Sequence, residues 1–301
     1  MGCPERVGIR LSRHLWLPAL IAICCSWGAL LAGEVPDEPE LFPGRTIARC
    51  EVIERPATEK DVRLSSRIPV LAEPENWRDV PGPRGERAVM WQETPRNHGY
   101  QILDRQGRLL HKLSHVNLPR WSPDGRWLAV SHWSSELPYQ LALIEVGTGK
   151  VIPIGKGEYV GDCAWSPDSR KLAFVAYPYT SGSLPSVGWL SVPDTSIHVM
   201  ADNFNSAFEC MGLAWSADSR RFVALMHREY EHDDVRVTDL WLFGLKPGVC
   251  RLTATSRVEE SNIGWLDDRR VIFQPEDLND DVAQSGFGTV LELPALEKSP
   301  R

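Results

Sequence analysis

The sequence predicts an all-β fold: a β-propeller of about five four-stranded blades, with six as the alternative count. Three observations predict it. A segment headed by tryptophan recurs four times, its tryptophans 44, 50 and 50 residues apart, and self-similarity at that period marks propellers and solenoids. The 301 residues include 12 Trp, 23 Pro and 23 Gly, which suits many short strands joined by tight turns. No long stretch beyond the N-terminal region carries a helical period.

The chain opens on an address. Arg6, Arg10 and Arg13 precede an apolar run from Leu15 to Leu31, followed by Ala32-Gly33 and then Glu34. A basic region, an apolar core and small residues describe a secretory signal. The run is also nearly long enough to stay as a membrane anchor. Residues 1–33 are therefore assigned as a signal peptide or an N-terminal anchor. Either places the rest of the chain outside the cytoplasm, in a periplasmic or extracellular setting. Residues 1–33 hold three arginines and one glutamate, so the remainder carries −9 where the whole chain carries −7. An acidic body without a basic stripe argues against nucleic acid and anionic lipid. Membrane contact is expected only through an uncleaved leader.

Residues 34–67 read as a linker, rich in Pro and Glu at first, with one candidate strand from Thr46 to Ile53. The propeller is assigned to residues 68–301. Its repeat appears as Trp121-Ser122-Pro123-Asp124-Gly125-Arg126 and Trp165-Ser166-Pro167-Asp168-Ser169-Arg170. It returns as Trp215-Ser216-Ala217-Asp218-Ser219-Arg220 and, worn down, as Trp265-Leu266-Asp267-Asp268-Arg269-Arg270. Three residues after each tryptophan stands Asp, and five after it stands Arg. Seven after it comes an apolar residue: Leu128, Leu172, Phe222 or Ile272. The physics is that of a hairpin. A strand ends at the tryptophan, Pro presets φ, Asp accepts turn amides and Gly125 takes a positive φ.

A second strand follows, such as Leu128-Ala129-Val130 or Leu172 to Val175, and its continuous apolar run implies burial on both faces. A longer loop leads to a third strand (Tyr139 to Val146, Val187 to Val192, Leu240 to Leu245). A tight turn leads to a fourth (Val151 to Ile154, Ile197 to Met200). A degenerate fifth copy lies upstream at Gly82-Pro83-Arg84-Gly85-Glu86-Arg87. The units fall at 68–115, 116–158, 159–205, 206–256 and 257–301. The last is one strand short. Unpaired edges are a liability, so an N-terminal strand, Ile68 to Leu71 or Thr46 to Ile53, is expected to complete it. An eroded sixth blade would occupy residues 41–70.

The run Trp-Ser-Pro-Asp-Gly-Arg with a following Leu-Ala-Val or Leu-Ala-Phe resembles the TolB-type, WD-like propeller repeat. That repeat also occurs in the propellers of prolyl-oligopeptidase-like and tricorn-like peptidases. Cys250-Arg251-Leu252-Thr253 is similar to the Arg-Leu-Thr that closes such blades. The resemblance covers about residues 75–295. It implies the fold and no particular activity. The N-terminal domain of TolB does not fit into the 40 or so residues before the first blade. The Gly-x-Ser-x-Gly elbow of the peptidases is missing.

Function is expected on the side of the longer second-to-third loops, since variable loops on a rigid repeat scaffold commonly carry binding sites. Trp133, Tyr177, Tyr179, His227 and Tyr230 are the candidate contacts, and aromatics with histidine suit a protein or peptide partner, or a carbohydrate. The repeated residues Trp121, Asp124, Arg126, Trp165, Asp168, Arg170, Trp215, Asp218, Arg220, Trp265, Asp268 and Arg270 read as structural. The eight histidines are scattered, and no phosphate loop or metal spacing is present, so neither catalysis nor a metal or cofactor is expected. The acidic runs at 229–234 and 276–281 read as solvated loops. Two alternatives stand beside the binding reading. A glycosidase-like enzyme would draw on Asp162, Glu209 and Glu260 near the inner strands. An anchored subunit or sensor of an envelope complex would keep the leader. Beyond the leader remain Cys50, Cys163, Cys210 and Cys250, an even number that permits two disulfides. Buried free thiols are the favoured reading.

Overall fold

The computed structural model describes residues 48–50, 52–61, 78–94, 97–132, 140–154, 158–178, 186–192, 194–202, 208–229, 236–244, 249–253, 258–277 and 288–293. All belong to the compact unit 39–301. Two short N-terminal strands come first, β1 (Ala48–Arg49) and β2 (Ile53–Pro56). Five antiparallel blades follow. Blade 1 is β3 (Asp79–Pro81), β4 (Arg87–Thr94), β5 (Asn97–Leu103) and β6 (Leu109–Ser114). Blade 2 is β7 (Val116–Trp121), β8 (Trp127–His132), β9 (Gln140–Glu145) and β10 (Lys150–Pro153). Blade 3 is β11 (Glu158–Trp165), β12 (Lys171–Pro178), β13 (Ser186–Ser191) and β14 (Ile197–Asp202). Blade 4 is β15 (Phe208–Trp215), β16 (Arg221–Glu229), β17 (Arg236–Gly244) and β18 (Val249–Arg251). Blade 5 has β19 (Val258–Trp265), β20 (Arg270–Asp277) and β21 (Thr289–Glu292).

The fourth strand of blade 5 is β2, antiparallel to β21 from Ile53 opposite Glu292 to Pro56 opposite Thr289. The last blade is thus completed from the N-terminal side, by a strand that starts where the expected Thr46–Ile53 segment ends. The front of that segment goes elsewhere. β1 adds a fifth, parallel strand to blade 4, with Ala48 opposite Cys250 and Arg49 opposite Arg251. With both strands absorbed by other blades, residues 41–70 do not supply a sixth blade from their described part. Ile68 to Leu71 lies outside the described residues.

Alternation explains the continuous apolar runs. Leu128 and Val130 pack with Val80, Tyr100 and Ile102 of blade 1, while Trp127 and Ala129 pack with Leu172 and Phe174 of blade 3. The same split recurs between blades 3 and 4, where Ala173 and Val175 meet Phe222 and Phe243. Between blades 4 and 5, Val223 and Leu225 meet Val271 and Leu291. The second strands of blades 2, 3 and 4 each serve two interfaces, so neither of their faces can be polar.

The tryptophans stitch these interfaces. Trp121 Nε1 donates to the Val80 carbonyl (3.2 Å), Trp165 to that of Arg120, Trp215 to that of Ala164 and Trp265 to that of Ala214 (each 2.9 Å). Every indole reaches back to the first strand of the preceding blade. Blade 1 has Pro81 in the equivalent place.

The turns are built alike in blades 2, 3 and 4. Asp124, Asp168 and Asp218 each accept a hydroxyl bond from Ser122, Ser166 or Ser216, and the amide of Arg126, Arg170 or Arg220. Ser169 and Ser219 take a left-handed φ of 58° and 57°, a conformation that disfavours side chains. Their hydroxyls compensate by accepting the amides of Asp124 and Asp168 from the preceding blade (2.9 and 3.2 Å). In blade 5 the hairpin is one residue shorter, so Trp265 pairs with Val271 and not with Ile272. The turn carboxylate there is Asp267, which accepts the amides of Arg269 and Arg270. Asp268 therefore does not take the place that Asp124, Asp168 and Asp218 hold, while Ile272, apolar as the repeat expects, is buried.

The cysteines divide. Cys50 and Cys250 form a disulfide that fastens the chain beyond β1 to β18 of blade 4, across 200 residues of sequence. This corrects the free-thiol expectation for that pair. Cys163 and Cys210 are buried free thiols, and burial pushes Cys163 up to about 12. Thiol titration of the chain from Glu34 onward should find no fast-reacting thiol in the native protein, two after denaturation and four after reduction. Four titrating before reduction would remove the bridge.

Candidate functional site

The antiparallel order of each blade separates two faces. First-to-second and third-to-fourth turns emerge on one face. Second-to-third loops and interblade connections emerge on the other. On the first face the serine and aspartate bonds above fill the turns. The second face is the one on which the sequence places its five expected contact residues. Trp133, Tyr179 and Tyr230 lie outside the described residues. Tyr177 and His227 sit on strands. Tyr177 packs against the core shared by blades 3 and 4, and its hydroxyl accepts the amide of Cys210 (2.8 Å). His227 is buried within β16, opposite Thr238 and Glu209, and its Nε2 meets no partner among the described residues. His227 is thus an interior residue, while Tyr177 is half-buried at the seam between blades 3 and 4. Strand registers put them one or more residues further inside the blade than the loop boundaries in the sequence suggest.

The first strands of blades 2 to 5 neighbour one another in sequence around a hub. Each carries a register shift: between Asn117 and Arg120, Val160 and Asp162, Cys210 and Gly212, and Ser261 and Gly264. Bulges re-aim side chains. Here they leave two apolar side chains in solvent, Leu118 with a φ of 52° and Met211. They also bring Arg120 of blade 2 against Asp162 of blade 3, at 3.0 Å and with little solvent access. Asp162 further accepts the Cys163 amide (2.8 Å). The pair lines a small cleft with Leu118, Val130, Ser131, Leu141 and Cys163. A carboxylate held by a guanidinium this way is a poor general acid. Glu209 and Glu260 lie on β15 and β19, and their side chains are outside the described residues.

A cluster that looks scattered in the sequence forms at the loop-face end of blades 1 and 2. His98 begins β5, His115 links the blades with a φ of 58°, and His132 ends β8. His98 Nε2 lies 3.1 Å from Asn117 Oδ1. His132 is held below the ordinary histidine value, first by burial and then by the neighbouring His115. Their spacing along the chain, 17 residues each, gives no warning, because three separate elements deliver them. Among the described residues no group of His, Cys, Asp and Glu has metal-binding geometry. No helix among them is long and apolar enough to cross a membrane.

Comparison with solved structures bears on the fold. An oligogalacturonate lyase from Vibrio parahaemolyticus matches with a TM-score of 0.50 and 14% identity, over 72% of this chain and 65% of that one. The fold is a β-propeller. Other similar structures are the β-propeller domain of the Trilobed protease from Pyrococcus furiosus (TM-score 0.49, 14% identity, 66% and 63% covered) and TolB from Acinetobacter baumannii (0.40, 16%, 76% and 55%). The propeller spans less than two thirds of the length of each of these three proteins. Identities this low speak to fold alone. No protein-family model and no curated protein matches the chain by sequence.

Proposed function

We propose that the chain is an exported, non-catalytic β-propeller that binds a protein or peptide partner through its loop face. The observation that carries this reading is the division of labour between the faces. Short turns of near-identical hydrogen bonding fill one face in blades 2 to 4, while the connections that differ from blade to blade emerge on the other. Rigid scaffolds with variable loops at one end are used in this way for recognition. Export is supported by the basic-then-apolar N-terminus and by the Cys50–Cys250 disulfide, a bond that persists in oxidising compartments. The pairing of Asp162 with Arg120 weighs against Asp162 as the general acid of a glycosidase. The likeness to an oligogalacturonate lyase, at 14% identity, supports the fold and carries nothing about activity.

The test is site-specific photo-crosslinking in the intact host. A crosslinker at Trp133 or Tyr230 should capture one discrete extracytoplasmic protein, and a crosslinker at Arg170 on the opposite face should not. Capture at Arg170 alone, or at neither loop position, would overturn the loop-face assignment.

A further inference from the structure

The short-turn face carries one concave site that the loop-face reading does not use. An open cleft of about 510 Å³ lies where the turns of blades 1 and 2 meet. Arg84, Arg105, Arg108 and Arg126 all line it, in a chain whose net charge is −7. Three carboxylates share the lining, and each already has a partner. Asp104 takes the Arg108 guanidinium (2.7 Å) and the amides of Gln106 and Arg108 (2.9 Å each). Glu86 accepts the Arg84 amide (3.0 Å), and Glu145 accepts the Thr148 hydroxyl (2.8 Å). Among the described residues no carboxylate pairs with the guanidinium of Arg84, Arg105 or Arg126, and all three side chains are exposed.

Arg84 is also where the repeat is broken. Blades 2, 3 and 4 have an aspartate three residues past the end of the first strand and use it to knit the hairpin, where blade 1 has Arg84. The blade 1 hairpin is one residue shorter, with Pro81 opposite Arg87, and closes through its backbone alone: the Gly82 amide donates to the Glu86 carbonyl (2.7 Å), and Gly85 takes a φ of 91°. The guanidinium of Arg84 therefore has no task in the turn that presents it. On the facing side, buried Gly125 lets Pro83 and the Arg84 stem lie close against the blade 2 turn. A Cβ there would stand 3.3 Å from Pro83 and 3.4 Å from the Arg84 side chain.

The geometry points to a binding site in this cleft for a small polyanion, a molecule carrying two or more carboxylate or phosphate groups. Guanidinium forks match carboxylate and phosphate oxygens bidentately. The volume is in the range of small-molecule sites. Exposed single charges are screened, so a monoanion gains little here, while a ligand that engages two or three guanidiniums at once gains from each.

Calorimetric titration of the leaderless protein at low ionic strength tests it, with citrate and pyrophosphate as probes and acetate as the monoanionic control. At least one probe should bind with 1:1 stoichiometry and about tenfold or more tighter than acetate, and the tighter probe distinguishes carboxylate from phosphate. The Arg84 side chain is exposed and no described residue bonds its guanidinium, so the melting temperature of Arg84→Asp should stay within about 2 °C of the parent. Arg84→Asp and Arg126→Ala should each weaken the probe about fivefold or more. Arg170→Ala, the corresponding exposed arginine of blade 3, should change binding by less than about twofold. Absence of binding by both probes up to about 10 mM, or equal weakening by Arg170→Ala and Arg84→Asp, would overturn the site. The loop-face crosslinks are unaffected by either result, so this site and the proposed function stand or fall separately.

Discussion

Replacing Trp215 by alanine is expected to lower stability by about 4–5 kcal/mol, close to the upper end for a buried aromatic in a core. The side chain is buried between blades 3 and 4 and packs with Phe222, whose ring centre lies 5.1 Å away, and with Lys171 from blade 3 at 6.0 Å. Its indole N–H also satisfies the Ala164 carbonyl across the interface. The substitution empties a cavity that two blades line and leaves that carbonyl without its donor. Trp215→Phe separates the two effects. It keeps most of the ring and loses the bond, so its cost should be about 1–2 kcal/mol. Urea unfolding of both variants reads the difference. Similar losses for alanine and phenylalanine would mean that the hydrogen bond and not the packing dominates. A loss under about 1 kcal/mol for alanine would mean that the indole does not hold the interface. Trp121 should respond less to the same change, because it is only half-buried and its bond is longer at 3.2 Å.

That contrast explains why the repeat was readable. Tryptophan, serine and aspartate act locally in each hairpin, and the same local chemistry recurs wherever the hairpin does. Strand pairs and the four-stranded unit follow from alternation and turn residues, which are properties of short stretches. What lies between blades is different. Arg120 stands one residue before its tryptophan and Asp162 stands three before its own, so no alignment of repeats pairs them. Two bulges of unequal placement bring them together. The shortened hairpin of blade 5 hands the turn to Asp267 through a one-residue deletion that a degenerate repeat hides. Tyr177 and His227 look like loop residues because the loops beside them are long, yet both lie on strands that run further than their apolar cores. β1 is two residues long and pairs in parallel with a strand some 200 positions away, a contact that no local pattern encodes.

The N-terminal segment also holds the second large effect. Asp61→Ala is expected to destabilise by about 3–5 kcal/mol, the cost of breaking a buried ion pair by removing one partner. Asp61 is 2% exposed and gathers the end of the completed blade. It accepts Arg55 of β2 through both oxygens (2.8 and 3.3 Å) and Arg270 of β20 at 3.2 Å. Thr58 caps the turn from Glu59 to Asp61 and gives its own amide and hydroxyl to the carboxylate (2.9 and 2.7 Å). Arg55 also reaches Glu292 of β21 at 2.9 Å, so β2 is tied to both sides. Arg55 and Arg270 are each more than a quarter exposed. Water can therefore take back part of their charge, which places the expected loss toward the lower end of the range. The Arg55 guanidinium, against the opposing effect of burial, holds the Asp61 carboxyl well below the usual carboxylate range. A carboxylate with a depressed folded-state value contributes stability that is complete above the unfolded value, about pH 3.9, and is lost as pH falls through the folded value. Wild-type stability should therefore decline below about pH 4 with a component that Asp61→Asn lacks, so the two unfolding free energies should converge as the pH drops. Differences between wild type and Asp61→Asn that stay constant from pH 7 to pH 2 would show that the charge of Asp61 does not hold β2 in place.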